Sequence, residues 1–403
     1  MELEERTRPE APELTGGRIC IVTPEYPPEQ WGGLARTVLR VSLHAAAMGL
    51  DVHVAHLNVE PTPLVLLDEN RTTRVNNGIK IHRISVATEE LPSGRRNLWD
   101  CPHTLTLRMM YQSLEMLHLA EKFDLFHSFF LYPMGYVSGL LARRMGVPSI
   151  VTVVGNDVKK YIFSPEKAAV CRSGLENADR VVGLSKDLID MADALSPVKA
   201  KARVIYNSVE IPPHRWIPRA GGTGPFKIGC AGIFKYAKGL PYLLKAIAVM
   251  RSESKVALEL IGQIRDSEKD VLQSMLDKTG IRDILVIREP LPHDKMPDWL
   301  MSLDAYVLPS VSEGCPNILM EAMACGLPCV ATRTGAMEDL VEDGKSGLLV
   351  PWGSSEALAE ALSRIVDEEG LQQALGLAAR TRMREFDSAR ERSAWEDLYQ
   401  RCD

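Results

Sequence analysis

Two glutamates eight positions apart, Glu313 and Glu321, flank a proline and an alanine-rich segment in "PSVSEGCPNILMEAMACGLPC". Carboxylates accept hydrogen bonds from hydroxyls, while the head of a helix presents N–H groups and the positive end of a dipole, which suit a phosphate. A helix starting at Pro316, where the missing N–H costs nothing, puts the N–H groups of Asn317, Ile318 and Leu319 between the two carboxylates. Glu313 then stands in the preceding loop, and Glu321 lies about 7 Å along the helix at roughly 1.5 Å per residue. The arrangement suits a stretched ligand carrying hydroxyls, then a diphosphate, then hydroxyls again, and a nucleotide sugar has that order. Taken singly, either glutamate reads more readily as an ordinary charge at a helix than as a ligand group.

These groups must be positioned by regular elements. "DAYVLPS" ends a strand, Gly326 stops the helix, and Pro328 begins the approach to the next strand. Far upstream, "RICIVTPEYPP" (18–28) is an apolar run closed by prolines, which suits a buried parallel strand ending in a loop. Leu34, Val38, Val41, Ala45 and Met48 keep helical spacing up to Gly49, and "DVHVAHL" is the next strand. "KFDLFHSFF", "GVPSIVTVVGND" and "ADRVVGLSKDLIDMADAL" repeat the alternation, so the N-terminal half reads as a parallel sheet covered by helices. "SVEIPPHRWIPRAGGTGPFK" (208–227) breaks the pattern with prolines and glycines. Beyond it, "FKIGCAGIF", "KVALELIGQI", "DILVIREPL", "LDAYVLPS", "LPCVATR" and "SGLLVP" make a second α/β domain, and the chain from "EALAEALSR" onward reads as helical throughout. The expected division is a disordered segment 1–16, a first domain 17–210, a linker 211–225, a second domain 226–385 and a C-terminal helix 386–403. Ligands of such doubly wound domains bind outside the carboxyl ends of the strands.

With 403 residues, 45% hydrophobic and 25% charged, the chain can bury two sizeable cores. A net charge of -6 gives no general basic field, so nucleic acid is not an expected partner. The eight cysteines form no Cys-x-x-Cys pair, no histidine cluster has zinc spacing, and no aspartate-rich metal loop is evident. No metal or other cofactor is therefore expected, and the cysteines read as buried thiols in a reduced cytoplasm. The acidic, proline-bearing N-terminus is opposite to a signal peptide, and no 18-residue apolar run occurs. The basic cluster in "GLLARRMG" (139–146) would suit contact with the inner face of a membrane, though it reads more readily as a solvated helix face.

The string from Pro309 to Pro351, "PSVSEGCPNILMEAMACGLPCVATRTGAMEDLVEDGKSGLLVP", resembles the Glu-x7-Glu donor-binding motif of the retaining glycosyltransferases of family 4. More weakly, the resemblance extends over nearly the whole chain from Arg18. It implies the GT-B fold: two Rossmann-like parallel α/β domains facing a central cleft, with the C-terminal helix crossing back to the first domain. "YPPEQWGGLARTV" is similar to the family's first loop, where Gly32 and Gly33 would let the backbone approach the donor diphosphate or the acceptor. In "FKIGCAGIFKYAKGLPYLLKAI", Lys238 matches the lysine that neutralises the departing diphosphate. Asn207 and Glu210 in "RVIYNSVEI" match family positions. Carried onto this chain, Lys238, the helix head at Asn317 to Leu319, and Gly32 and Gly33 would bind the diphosphate. Glu321 would hold the ribose, and Glu313 would hold the transferred sugar and act in catalysis with Lys238. The resemblance implies retention of anomeric configuration, a departing phosphate that helps remove the acceptor proton, and work in polysaccharide or glycolipid assembly.

The chain also departs from the pattern. Ile233 stands where the family usually carries a second cation, and Lys235 nearby lacks a planar fork. Val154 stands where a histidine usually reaches the reacting sugar, which leaves His127 and Asp157 as candidate sugar or acceptor contacts. These departures keep open a nucleotide-sugar-binding protein that has lost turnover. An epimerase on the same architecture is a more distant alternative, and a nicotinamide dehydrogenase is disfavoured because Gly229 and Gly232 do not complete Gly-x-Gly-x-x-Gly.

Overall fold

Short apolar runs cannot satisfy their backbone groups alone, and in the computed structural model they pair side by side into two sheets. The structure describes residues 16–60, 67, 69–87, 104–218, 224–251 and 255–400. Outside them lie the expected N-terminal disordered segment, apart from Gly16, and residues 219–223 of the expected linker. The chain divides into two units, one running to Ile205 and resuming at Arg392, the other Tyr206–Glu391.

The first unit contains β1 (Arg18–Thr23), β2 (Asp51–Glu60), β3 (Arg71–Asn76), β4 (Ile79–Ala87), β5 (Leu125–Phe129), β6 (Ser149–Val153), β7 (Arg180–Gly183) and β8 (Ala202–Val204). Their order is β3-β4-β2-β1-β5-β6-β7-β8. Ile19, Cys20, Ile21 and Val22 are all buried, as a strand covered on both faces requires. The antiparallel edge strand β3 is absent from the sequence reading. It turns into β4 at Asn77 and Gly78, whose φ angles of 50° and 77° are those of a two-residue hairpin, so "VNNGI" was the available signal.

The second unit contains β9 (Phe226–Ala231), β10 (Val256–Ile261), β11 (Leu285–Arg288), β12 (Ala305–Leu308), β13 (Cys329–Thr332) and β14 (Leu348–Val350), in the order β11-β10-β9-β12-β13-β14. Every pair is parallel. Strand order reverses between β9 and β12, and the same happens between β1 and β5 in the first unit, so each sheet has a topological switch point at its centre.

The boundary between the units differs from expectation. The division falls between Ile205 and Tyr206, and the described part of the expected linker is packed into the second unit. Trp216 is buried there, its backbone N–H donating to Cys325 O at 2.7 Å and its indole N–H to Leu303 O at 2.7 Å. A proline-rich composition looks like a tether, but one large aromatic residue is enough to anchor it. The C-terminal stretch, expected to be helical throughout, is three helices, Ser355–Asp367, Leu371–Met383 and Ser388–Gln400. Gly370, in the left-handed region at φ 77°, separates the first two. The last helix inserts Trp395, Leu398 and Tyr399 into the core of the first unit. Among the described residues no helix is long and apolar enough to cross a membrane. The basic pair on the helix Tyr136–Met145 is engaged with neighbours: Arg143 with Asn177, and Arg144 with Tyr111 and Glu115.

Candidate active site

At the switch point of the second unit, the loop after β9 carries Lys235 and Lys238, and the loop after β12 carries Glu313. Lys238 closes the short turn Tyr236–Lys238 after β9, and Glu313 lies in the loop between β12 and the helix Asn317–Cys325. Their side chains meet, with Lys238 Nζ donating to Glu313 Oε1 at 2.5 Å. Ser310 Oγ donates to the same oxygen at 2.8 Å. The two charged side chains are only 17% and 14% exposed, so the pair is screened less than a surface ion pair while solvent still reaches it.

The Glu313 loop is braced on three sides. Val311 N–H donates to Ala237 O at 2.8 Å, Ala336 N–H to Gly314 O at 2.8 Å, and Asn207 Nδ2 to Cys315 O at 3.3 Å. Two glycines permit this closeness. A Cβ on Gly239 would lie 1.8 Å from Pro309 O, and one on Gly335 would lie 2.3 Å from Glu313 O, both at positive φ. Beneath the pair, burial pushes the Cys230 thiol up to about 12, so it stays protonated; Lys238 acts against that rise and Glu313 with it.

The helix after Glu313 starts one residue later than the sequence suggests. Pro316 is its extended N-cap, with φ -80° and ψ 100°, and the helical residues begin at Asn317. Pro316 O accepts the N–H of Leu319 at 3.1 Å, which removes Leu319 from the expected phosphate donors and leaves the helix head to Asn317 and Ile318. Glu321 is half-buried within the helix, and its charge adds to burial in raising the Cys325 thiol to about 12. Ile233 is 48% exposed in the loop after β9 and offers no charge there.

In the first unit, Gly32 caps the helix Gly33–Ala47 at φ -65°, so a left-handed turn does not explain the pair of glycines. A Cβ on Gly32 would come within 3.3 Å of the Glu25 carboxylate. His127 and Asp157, the candidate sugar or acceptor contacts, are both buried. His127 is fully buried on β5, its Nδ1 2.9 Å from Tyr399 Oη and its Nε2 2.8 Å from Thr152 Oγ1. Burial pulls its pKa down to about 3, so the ring is neutral and ties the last helix to the sheet. Asp157 is also fully buried. Its Oδ2 accepts N–H groups from Val154 at 3.0 Å and Leu131 at 3.3 Å, while Oδ1 has no partner. Burial raises this carboxyl to about 7. It braces the loops after β5 and β6, and Val154 packs against the apolar core. Ser310 and Thr332 were missed: Thr332 Oγ1 donates to Ser310 O, so a second hydroxyl fixes the residue that orients Glu313. The serine at a strand end three positions before the acid was the only trace of this in the sequence.

Comparison with known proteins bears on the family and the fold. Residues 31–211 match the family model for Glycosyltransferase Family 4, and residues 225–368 match that for Glycosyl transferases group 1. A D-inositol 3-phosphate glycosyltransferase of Arthrobacter sp. (strain FB24) is 25% identical over 375 residues, covering 86% of this chain and 85% of the relative. An uncharacterized glycosyltransferase of Methanocaldococcus jannaschii is 28% identical over 260 residues, covering 64% of this chain and 69% of its own. Among solved structures, the sucrose-phosphate synthase from Thermosynechococcus elongatus superposes with a TM-score of 0.76 at 20% identity, over 95% of this chain and 98% of that one. The Anabaena protein HepE in complex with UDP gives 0.72 at 18% identity, over 94% and 99%. With family models matching in both units, on a backbone that superposes along nearly its whole length, the chain belongs to the family 4 glycosyltransferases and has the GT-B fold.

Proposed function

We propose that this glycosyltransferase moves a hexose from a nucleoside diphosphate donor to an acceptor hydroxyl with the anomeric configuration retained. The observation that carries the reading is the Lys238–Glu313 pair, oriented by Ser310 and set beside the helix head at Asn317 and Ile318. A diphosphate arriving there competes for the lysine and releases the Glu313 carboxylate for sugar hydroxyls and for positive charge at the anomeric carbon. As the bond from that carbon to the phosphate oxygen breaks, its electron pair leaves on the diphosphate, where Lys238 and the helix N–H groups stabilise it. The acceptor oxygen bonds to the anomeric carbon, and its proton passes to the departing phosphate. Glu321 is assigned to the ribose hydroxyls. Gly32 and Gly33 are assigned to backbone contact with the diphosphate or the acceptor. Work in polysaccharide or glycolipid assembly, in the cytoplasm or at the inner membrane face, and without a metal in the chemical step, belongs to the same reading.

UDP-sugars are the donors to try first, since HepE was solved with UDP and with UDP-glucose. A phosphorylated inositol is the first acceptor, from the named activity of the Arthrobacter relative. Release of nucleoside diphosphate from a donor panel, with Glu321→Gln and Glu313→Ala in parallel, tests the proposal. Release from one donor that both substitutions suppress supports it, and proton NMR of the product gives the anomeric configuration. Val154 and Ile233 favour the second reading, a binding protein without turnover. Donor binding by calorimetry with no release in the presence of any acceptor would select it.

A further inference from the structure

Three side chains distant in sequence meet at the opposite, amino-terminal end of the first unit's sheet. His53 lies near the start of β2, His82 near the start of β4, and Glu121 ends the helix Thr104–Glu121. His53 Nδ1 is 2.9 Å from His82 Nε2, and Glu121 Oε2 is 3.9 Å from the same Nδ1. One ligand atom from each residue falls within a 4.8 Å cluster. Both imidazoles are buried, while the Glu121 side chain is 30% exposed. The outward nitrogens are held as well: His82 Nδ1 is 2.9 Å from Thr73 Oγ1, and His53 Nε2 is 3.4 Å from Asp51 Oδ2. A carboxylate or hydroxyl on the far nitrogen is what orients a metal-bound imidazole.

We propose that His53, His82 and Glu121 bind a divalent transition metal of the zinc type, with a water-facing fourth position beside Glu121. Without metal, a single proton serves the two facing nitrogens. Lys80 Nζ, 3.2 Å from His53 Nε2, donates to that atom, His53 Nδ1–H donates to His82 Nε2, and His82 Nδ1–H donates to Thr73. With metal, His53 carries its proton on Nε2, facing Asp51, and Nδ1 becomes a ligand. Lys80 then keeps its 3.3 Å contact with Asp51, so no proton need leave the cluster. Bonds of about 2.05 Å at a tetrahedral centre place ligand atoms about 3.3 Å apart. The nitrogens must open slightly from 2.9 Å and the carboxylate close slightly from 3.9 Å. Imidazole and carboxylate ligands suit zinc, cobalt and nickel better than magnesium or calcium. The ion would tie β2, β4 and the end of a helix together on the side of the sheet away from the strand carboxyl ends, so its role is stability and not transfer.

The test uses the full chain without a polyhistidine tag, stripped with chelator and titrated with Co2+ and then Zn2+. The expected result is uptake of a single ion with the visible bands of tetrahedral cobalt and no near-ultraviolet thiolate band, together with a raised melting temperature. Glu121→Gln, at a half-exposed helix end where the fold should persist, is expected to weaken binding at least about tenfold. His82→Gln should abolish it, with circular dichroism reporting whether that variant folds. No uptake by the unaltered chain, a thiolate band, or unchanged affinity in Glu121→Gln would each overturn the assignment.

Discussion

In the second unit the loops after β9 and β12 hold Lys238 and Glu313 where solvent still reaches them, whereas in the first unit the loops after β5 and β6 close over Asp157, and His127 is sealed inside the sheet. Both units have the same central strand order and the same switch point. The difference lies in what the charged or titratable group is bonded to. Glu313 is bonded to another mobile charge and a hydroxyl, an arrangement that a ligand can replace. Asp157 is bonded to two backbone N–H groups and His127 to a tyrosine and a threonine, which are parts of the framework. Position at a strand end therefore does not identify a ligand-binding group until its partners are known.

Breaking each side of this contrast should give different readouts. Trp395→Ala removes a fully buried side chain from the first unit's core and should destabilise the protein by about 3–5 kcal/mol, read by thermal or denaturant melting. Lys238→Ala leaves the Glu313 carboxylate without its cation, so it should lower the melting temperature by less than Trp395→Ala does, and it should lower kcat/KM by about 100- to 1000-fold, as loss of one group that stabilises departing charge does elsewhere. A drop in stability without loss of turnover would reverse the assignment of that pair.

The buried titrating groups should respond to pH with opposite signs. The Asp157 carboxyl is raised from its ordinary 3.8 to about 7, so the folded state holds its proton more tightly, and the associated stability is lost as pH rises through about 7. The His127 imidazole is lowered from 6.5 to about 3, so its share is present above pH 6.5 and lost as pH falls toward 3. Melting curves of Asp157→Asn and His127→Gln against pH should each remove one of these slopes, and an unchanged profile in either would show that the group does not titrate as described. The smallest expected effect is Ser310→Ala. Losing one hydrogen bond to a carboxylate should reduce turnover about tenfold while donor binding is largely kept.

Much of this was legible in the residues. Short apolar runs located most of the strands, and "SEGCPNILME" located the loop, the helix and both glutamates, because strand burial and helix capping are local properties. Partner choice was not legible. Nothing near Asp157 in the sequence says that Val154 and Leu131 will donate to it, and His127 meets Tyr399 across 272 positions. His53, His82 and Glu121 fail every metal-spacing rule because each comes from a different element of the sheet or its cover. The Trp216 segment was misread for a related reason: its composition describes the backbone, while its burial depends on a distant surface.

The seating of Trp395, Leu398 and Tyr399 in the first unit has a consequence for biosynthesis. A ribosome adds about 5–20 residues per second, so the interval between Ile205 and Trp395 leaves the first sheet waiting on the order of 10–40 s for its last helix. During that time the core positions that Trp395, Leu398 and Tyr399 fill lack those three side chains, and His127 lacks its tyrosine partner. A translation product cut short anywhere in the second unit would lack all three side chains in the first unit's core.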